Sequence, residues 1–446
     1  MNPPDWSRHV IWWQVYPLGF VGAEQAATDQ PSAAHRLLDL VPWLDYVIGL
    51  GASGLALGPV FRSETHGYDT ADYFGVDPRL GTLEDFDTLV AEAHRRGLRI
   101  LLDGVFNHVG RSFAPFQDVL RAGPASVSAP WFDLEWPEDV LEGDEPTYRD
   151  FEGHHHLVAL NHGEPAVADF VVEVMQYWLE RGADGWRLDA AYAVPSAFWA
   201  DVTARVRASH PDAYFVGEYI HGDYAAEVGA GGLDSATQYE LWKAVWSSLN
   251  DANFFELAAA LERHNALLAS FAPLTFVGNH DVTRIASKLQ DPALVAHAVV
   301  LLLTLGGTPS IYYGDEQGYR GVKEDRVGGD DDVRPVFPAS PADLSPVGAP
   351  LLALHQDLIG LRRRHSWLHR ATTEVVHLTN EVLVYRVTAA PSDTTPEGPD
   401  HLLVALNVSA QEQAVDAAGA GTILAGQAGL GDGRVVLPQQ GWAVLA

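Results

Sequence analysis

Short apolar runs alternate with stretches of helical spacing over most of the chain. Val10-Ile11-Trp12-Trp13-Gln14-Val15-Tyr16 reads as a first strand, closed by Pro17. Residues 34–50 carry helical spacing and end at Gly51, and Gly54-Leu55-Ala56-Leu57 is a second strand. Thr82-Leu83-Glu84-Asp85 reads as a helix N-cap with an acidic first turn, followed by Phe86, Leu89, Val90 and Ala93 on one face. Leu98 to Asp103 is the third strand. The rhythm then breaks over residues 109–163, which are rich in Pro, Gly, Trp and acids and too long for an ordinary connection. It resumes with a helix opened by Pro165, then strands at 183–189, 214–218, 235–237, 274–278 and 309–314. Eight strands alternating with helices predict an α/β fold, a (β/α)8 TIM barrel. After a last helix at 351–364, Val/Leu-rich alternation predicts a C-terminal antiparallel β-sandwich, with a Pro/Gly/Asp-rich loop at 391–400. The expected division is a barrel of residues 1–108 and 164–368, an inserted loop domain of 109–163 and a β domain of 369–446.

Composition narrows the function. Acids outnumber bases 59 to 28, a net charge of −31, which disfavours nucleic acid as a partner. The longest apolar runs, such as Ala298 to Leu305, are too short to span a bilayer, so no membrane association is expected. The absence of cysteine and of a signal-peptide pattern at Met1-Asn2-Pro3-Pro4 points to a cytoplasmic protein. Thirteen tryptophans and fifteen tyrosines exceed what a core usually needs; some suit sugar rings as platforms, although burial is the default reading for any one of them.

The candidate chemistry lies at strand ends. Gly185-Trp186-Arg187-Leu188-Asp189 and Val216-Gly217-Glu218 each finish a strand on a carboxylate. Adjacent parallel strands lie about 4.8 Å apart, which brings the two acids near the roughly 5 Å that a retaining glycosidase uses. Arg187 shares a face with Asp189 and is expected to hold it ionised, while burial is expected to favour the neutral form of Glu218. The run His154-His155-His156 lacks the spacing of a metal site, and no metal ligand is assigned.

Asp103-Gly104-Val105-Phe106-Asn107-His108, Gly185 to Asp189, Val216 to Glu218, and Phe276-Val277-Gly278-Asn279-His280-Asp281 occur in that order at strand ends. Together they resemble the four sequence regions of the α-amylase superfamily, family 13 of the glycoside hydrolases. The resemblance implies Asp189 as nucleophile, Glu218 as general acid/base and Asp281 as a third carboxylate that holds two sugar hydroxyls. It further implies that Arg187 orients Asp189, that Asp103 braces Arg187, that His108 and His280 bond sugar hydroxyls, and that Tyr68 forms a platform under the ring. Relatives in this superfamily often hold calcium near the position of Asn107. They also place a histidine where this chain has Ala193, so no cofactor is expected and calcium is left open.

Phe106 to Leu120 and Pro195-Ser196-Ala197-Phe198-Trp199 are similar to the cyclomaltodextrinase and neopullulanase branch. Asp330 and Arg334 match a pair that grips the next sugar there. The branch carries a β domain ahead of the barrel that helps to build a dimer; here the first strand begins near Val10, and a homodimer is left open. A tryptophan of the branch two residues after the acid/base is Ile220, and its Met-Pro-Lys-Leu-Asn motif reads Leu157-Val158-Ala159-Leu160-Asn161. The resemblance implies a small linear or cyclic malto-oligosaccharide as substrate, with cyclic maltosyl-maltose favoured by a more open acceptor side. A transglycosylase on the same scaffold and a non-catalytic amylase-like binding protein are the alternatives.

Overall fold

The computed structural model describes residues 3–26, 35–139, 144–326, 328–391, 393 and 400–446. Most of the loop expected at 391–400 lies outside the described residues. Eight parallel strands form one sheet: β1 (Trp12–Val15), β2 (Gly54–Leu57), β3 (Arg99–Gly104), β4 (Gly185–Leu188), β5 (Tyr214–Gly217), β6 (Ser235–Ala236), β7 (Leu274–Thr275) and β8 (Thr308–Tyr312). Their order is β6-β5-β4-β3-β2-β1-β8-β7, and a parallel bridge between Thr237 and Leu274 joins its two edges. The expected barrel is therefore present, with β7 shorter than the sequence pattern predicts.

Period-two alternation decides which side chains enter the barrel. Trp12, Leu101, Tyr214 and Val216 pack with Leu274 and Phe276 inside it. Trp13, Ile100, Leu102, Trp186, Leu188 and Phe215 face outward into the helical layer. Asp103, Arg187, Asp189 and Glu218 continue the inward parity of their strands, so the same alternation that fills the barrel delivers these groups to its C-terminal mouth. Gly54 makes room for this filling: a Cβ there would come 2.4 Å from the Trp12 ring.

The helices obey their local signals. Thr82 caps Leu83–Arg95 in a reciprocal capping box with Asp85. The stretch expected as one helix over 34–50 is different: Arg36–Trp43 is a 3-10 helix and only Leu44–Leu50 is α-helical, with Pro42 lacking the N–H that a continuous α-helix would use.

After β3 the chain leaves the barrel. His108–Gly110 pairs antiparallel with His154–Ala159, which in turn pairs with Asp150–Phe151. His154, His155 and His156 are exposed on that strand. At the C-terminus, a five-stranded antiparallel sheet carries Leu383, Tyr385, Val404 and Leu406 on the face turned to the barrel's core. Val382, Val384, Leu403 and Ala405 on its other face pack on Val415, Val435 and Leu437 of a three-stranded sheet. No described helix is long and apolar enough to cross a membrane.

Candidate active site

β4 and β5 run in register, with Leu188 beside Gly217. Asp189 and Glu218 come directly after them, at neighbouring strand ends. Both meet the same guanidinium: Arg187 Nη1 lies 3.1 Å from Asp189 Oδ1, and Nη2 lies 2.6 Å from Glu218 Oε1. Arg187 Nη1 is also 2.7 Å from each oxygen of Asp103. All four groups are buried.

The acid pair is less simply divided than expected. Arg187 touches Asp103, Asp189 and Glu218, so it does not by itself set which acid is charged. Burial, aided by the charges of Glu218, Asp103 and Asp281, raises the pKa of Asp189 well above the ordinary carboxylate range despite Arg187. Burial raises Asp103 as well. Arg187 thus favours the Asp189 anion, as expected, but burial and the neighbouring carboxylates oppose it, because Asp103, Asp189 and Glu218 share this one cation.

Glu218 is held by three donors. Besides Arg187, the Ala190 N–H donates to Oε2 at 2.9 Å and the Tyr239 hydroxyl to Oε1 at 3.2 Å. Tyr239 in turn accepts from Asn279 Nδ2 at 2.9 Å, and Asn279 Oδ1 accepts from the Asp281 N–H at 2.9 Å. A polar chain therefore runs from Glu218 through Tyr239 and Asn279 to Asp281. Ala190 reaches its place through a left-handed backbone, φ 43° and ψ 40°.

Asp281 lies on the other side of the mouth. Its Oδ2 is 3.0 Å from His280 Nε2 and its Oδ1 3.0 Å from Arg334 Nη2. Burial opposes its ionisation, but His280 and Arg334 outweigh burial and lower its pKa below the usual range. Arg334 also pairs with Asp330 at 3.0 Å, donates from Nε to the His280 carbonyl at 3.0 Å, and lies over the Tyr16 ring at 4.6 Å. The expected Asp330–Arg334 pair is therefore joined to Asp281, a link that chain order and spacing do not announce. Lys323 holds Asp330 from outside at 3.2 Å.

Tyr68 is half-buried, donates to Asp103 Oδ2 at 3.0 Å and hydrogen-bonds His280 Nε2. Gln14, at the end of β1, meets His280 Nδ1 at 3.1 Å. His108 is placed differently from the expectation that it bonds a sugar hydroxyl. Its Nε2 donates to the Tyr68 carbonyl at 3.0 Å, its Nδ1 accepts from Asn107 at 3.1 Å, and Phe151 stacks on its ring at 4.6 Å. Both nitrogens are engaged, and burial brings its pKa down to about 3, so His108 is a neutral support for Tyr68.

Sequence reasoning missed Tyr239, Tyr16, Gln14 and the Ala190 N–H. Gln14 offered one signal: a polar residue at an inward position of an otherwise apolar strand.

Asn107, at the place of the family's calcium, is turned to His108, and no group of three or more His, Cys, Asp or Glu side chains that could hold a metal occurs among the described residues.

A family description, the catalytic domain of alpha-amylase, matches residues 14–370. The chain belongs to the α-amylase family of glycoside hydrolases. It is 33% identical over 412 residues to a cyclomaltodextrinase of Geobacillus thermopakistaniensis (strain MAS1), covering 86% of this chain and 68% of that one. It is 31% identical over 435 residues to neopullulanase 2 of Thermoactinomyces vulgaris, covering 92% and 71%. Among solved structures, cyclic alpha-maltosyl-(1-->6)-maltose hydrolase of Arthrobacter globiformis superposes with a TM-score of 0.82 at 28% identity, covering 100% of both chains. The debranching enzyme of Nostoc punctiforme superposes with a TM-score of 0.81 at 28% identity, also over 100% of both.

Proposed function

We propose that the protein hydrolyses α-glucosidic bonds of small linear or cyclic malto-oligosaccharides with retention, through a glycosyl-enzyme intermediate. The observation that carries this reading is the pairing of Asp189 and Glu218 on one guanidinium at neighbouring strand ends. Glu218 gives its proton to the glycosidic oxygen as the C1–O bond breaks, and the Asp189 carboxylate forms a bond to C1. Glu218 then takes a proton from water, whose oxygen bonds C1 and frees Asp189. Asp281, kept ionised by His280 and Arg334, holds hydroxyls of the same ring, Tyr68 lies under it, and Asp330 with Arg334 meets the next sugar.

Cyclic maltosyl-maltose is the preferred substrate in this reading. The match of the Arthrobacter hydrolase over the full length of both chains supports it, as does Ile220, a smaller side chain than the branch's tryptophan beside Glu218. The barrel, inserted and β domains divide at residues 108/109, 163/164 and 368/369. The enzyme acts in the cytoplasm, with a homodimer as the assembly to be tested by light scattering.

The test is a substrate panel of maltotriose, panose, pullulan, β-cyclodextrin and cyclic maltosyl-maltose, with the anomeric form of the first product followed by NMR. An α-anomer and highest kcat/KM on the small cyclic sugar are expected. A β-anomer removes the two-step mechanism. Pullulan or starch as best substrate removes the small-ring reading. Longer or re-linked products at high substrate concentration favour the transglycosylase.

A further inference from the structure

At the opposite end of the barrel from the carboxylates, the segment before β1 and the C-terminal end of the helix Ala349–Arg364 with the chain after it border a solvent-open recess of about 230 Å³. Arg8, His9, Arg362, Arg363, Ser366 and His369 line it. We propose that this recess binds a phosphate-class oxyanion, either free or carried on a sugar.

The chain has a net charge of −31, yet the residues lining this recess include three arginines and no carboxylate. Arg362 is buried, and its partners are the backbone carbonyls of Leu303, Leu305, Gly307 and Leu368. Arg363 donates to the carbonyls of His9 and Gly51 and to Ser53 Oγ. Neither arginine forms an ion pair with a described carboxylate. Arg8 meets only the exposed Asp5, at 3.4 Å. Such a cluster repels itself and gains from a multiply charged anion.

Arg362 has a structural use, binding carbonyls at the end of the helix Val295–Thr304. That use leaves the rest unexplained. His9, Ser366 and His369 line the same recess, His9 and Ser366 at exposed positions and His369 half-buried. Burial and the charges of Arg362, His9, Arg370 and Arg8 bring His369 down to about 3, so it is neutral and offers an N–H. The recess exceeds what a bare oxyanion fills, which leaves room for a sugar substituent.

The experiment is thermal unfolding of the full chain in rising inorganic phosphate, at ionic strength held constant with chloride, and in parallel with glucose 6-phosphate. A saturable rise in midpoint beyond the chloride control is expected. His369→Gln with Ser366→Ala, and separately Arg8→Gln, should shift the half-saturating concentration upward several-fold while glycosidase activity is unchanged. Half-saturation by the sugar phosphate at lower concentration assigns the sugar-borne source; equal half-saturation assigns free phosphate. Equal midpoints in phosphate and chloride, or a phosphate response untouched in both variants, overturns the proposal.

Discussion

Arg187 bonds Glu218 as closely as it bonds Asp103: Nη2 to Oε1 is 2.6 Å, and Nη1 to each Asp103 oxygen is 2.7 Å. One guanidinium thus fixes the relative position of the two acids on which the proposed chemistry depends. A lysine offers a point charge without the fork. Arg187→Lys is therefore expected to lower kcat by roughly 100-fold or more, because a single ammonium nitrogen cannot take the places of both Nη1, at Asp103 and Asp189, and Nη2, at Glu218. Arg187→Met leaves buried acids without their cation and is expected to cost about 3–5 kcal/mol of stability. Steady-state kinetics and denaturant unfolding check the two outcomes separately.

The roles of Asp189 and Glu218 differ in a way that leaving-group chemistry separates. Glu218→Gln is expected to lower kcat/KM on maltotriose by roughly 100- to 10,000-fold, the usual reach of general acid catalysis. On nitrophenyl maltoside, whose leaving group needs no proton, glycosylation should survive and a burst of nitrophenol should appear. Asp189→Asn should be inactive on both. Recovery of Asp189→Asn on the activated substrate, or none for Glu218→Gln, would reverse the assignment.

The alternation Gly185-Trp186-Arg187-Leu188-Asp189 already states which side chains enter the barrel, and the spacing of strand-end acids already places Asp103, Asp189 and Glu218 at one mouth. These features were legible because parity and chain order suffice for them. The reach of Arg187 across to Glu218 was not, since it depends on a side-chain rotamer over a neighbouring strand. Tyr239 was invisible for a different reason: β6 is two residues long, and so short a strand has no period from which to place the residues beyond its end. The engagement of both His108 nitrogens was not legible either, because it depends on the Tyr68 carbonyl, 40 residues away on a loop, and on the side chain of Asn107. Arg36–Trp43 kept helical spacing yet wound as a 3-10 helix, because spacing alone does not register a missing N–H at Pro42.

Tyr239 is expected to act by positioning. Its hydroxyl donates to Glu218 and is itself oriented by Asn279. A hydrogen bond to a charged group contributes about 1.5–3 kcal/mol, so Tyr239→Phe should lower kcat by roughly 10- to 100-fold. The acidic and basic limbs of the pH–rate profile should move, with KM changed much less. A mere packing role would leave the profile in place.

Ala190 is held in the left-handed region by its position between the nucleophile and the 3-10 helix Ala191–Ala193. That conformation costs a non-glycine residue about 1–2 kcal/mol, which Ala190→Gly should partly return as stability. Ala190→Val adds a branched Cβ where φ is positive and should destabilise further, and it should lower activity by displacing the N–H from Glu218. Unfolding free energies ordered Gly above Ala above Val are the expected result.

Glu316 supplies a stability signature distinct from the catalytic groups. It is fully buried beneath Gly314, accepts from Tyr46 at 2.9 Å and from the Gly314 N–H at 3.0 Å, and burial raises its pKa from 4.5 to about 7. The folded protein therefore binds a proton there that the unfolded chain has lost above about pH 4.5. Stability from this group is full below pH 4.5, falls as pH rises through the window to about 7, and is flat beyond it. The shift corresponds to roughly 3 kcal/mol at neutral pH. Glu316→Gln keeps the shape and removes the ionisation. The variant should show a shallower fall in unfolding free energy between pH 4.5 and 7, and should gain on the parent toward pH 8. Parallel pH–stability curves for parent and variant would mean that Glu316 ionises in the fold without penalty.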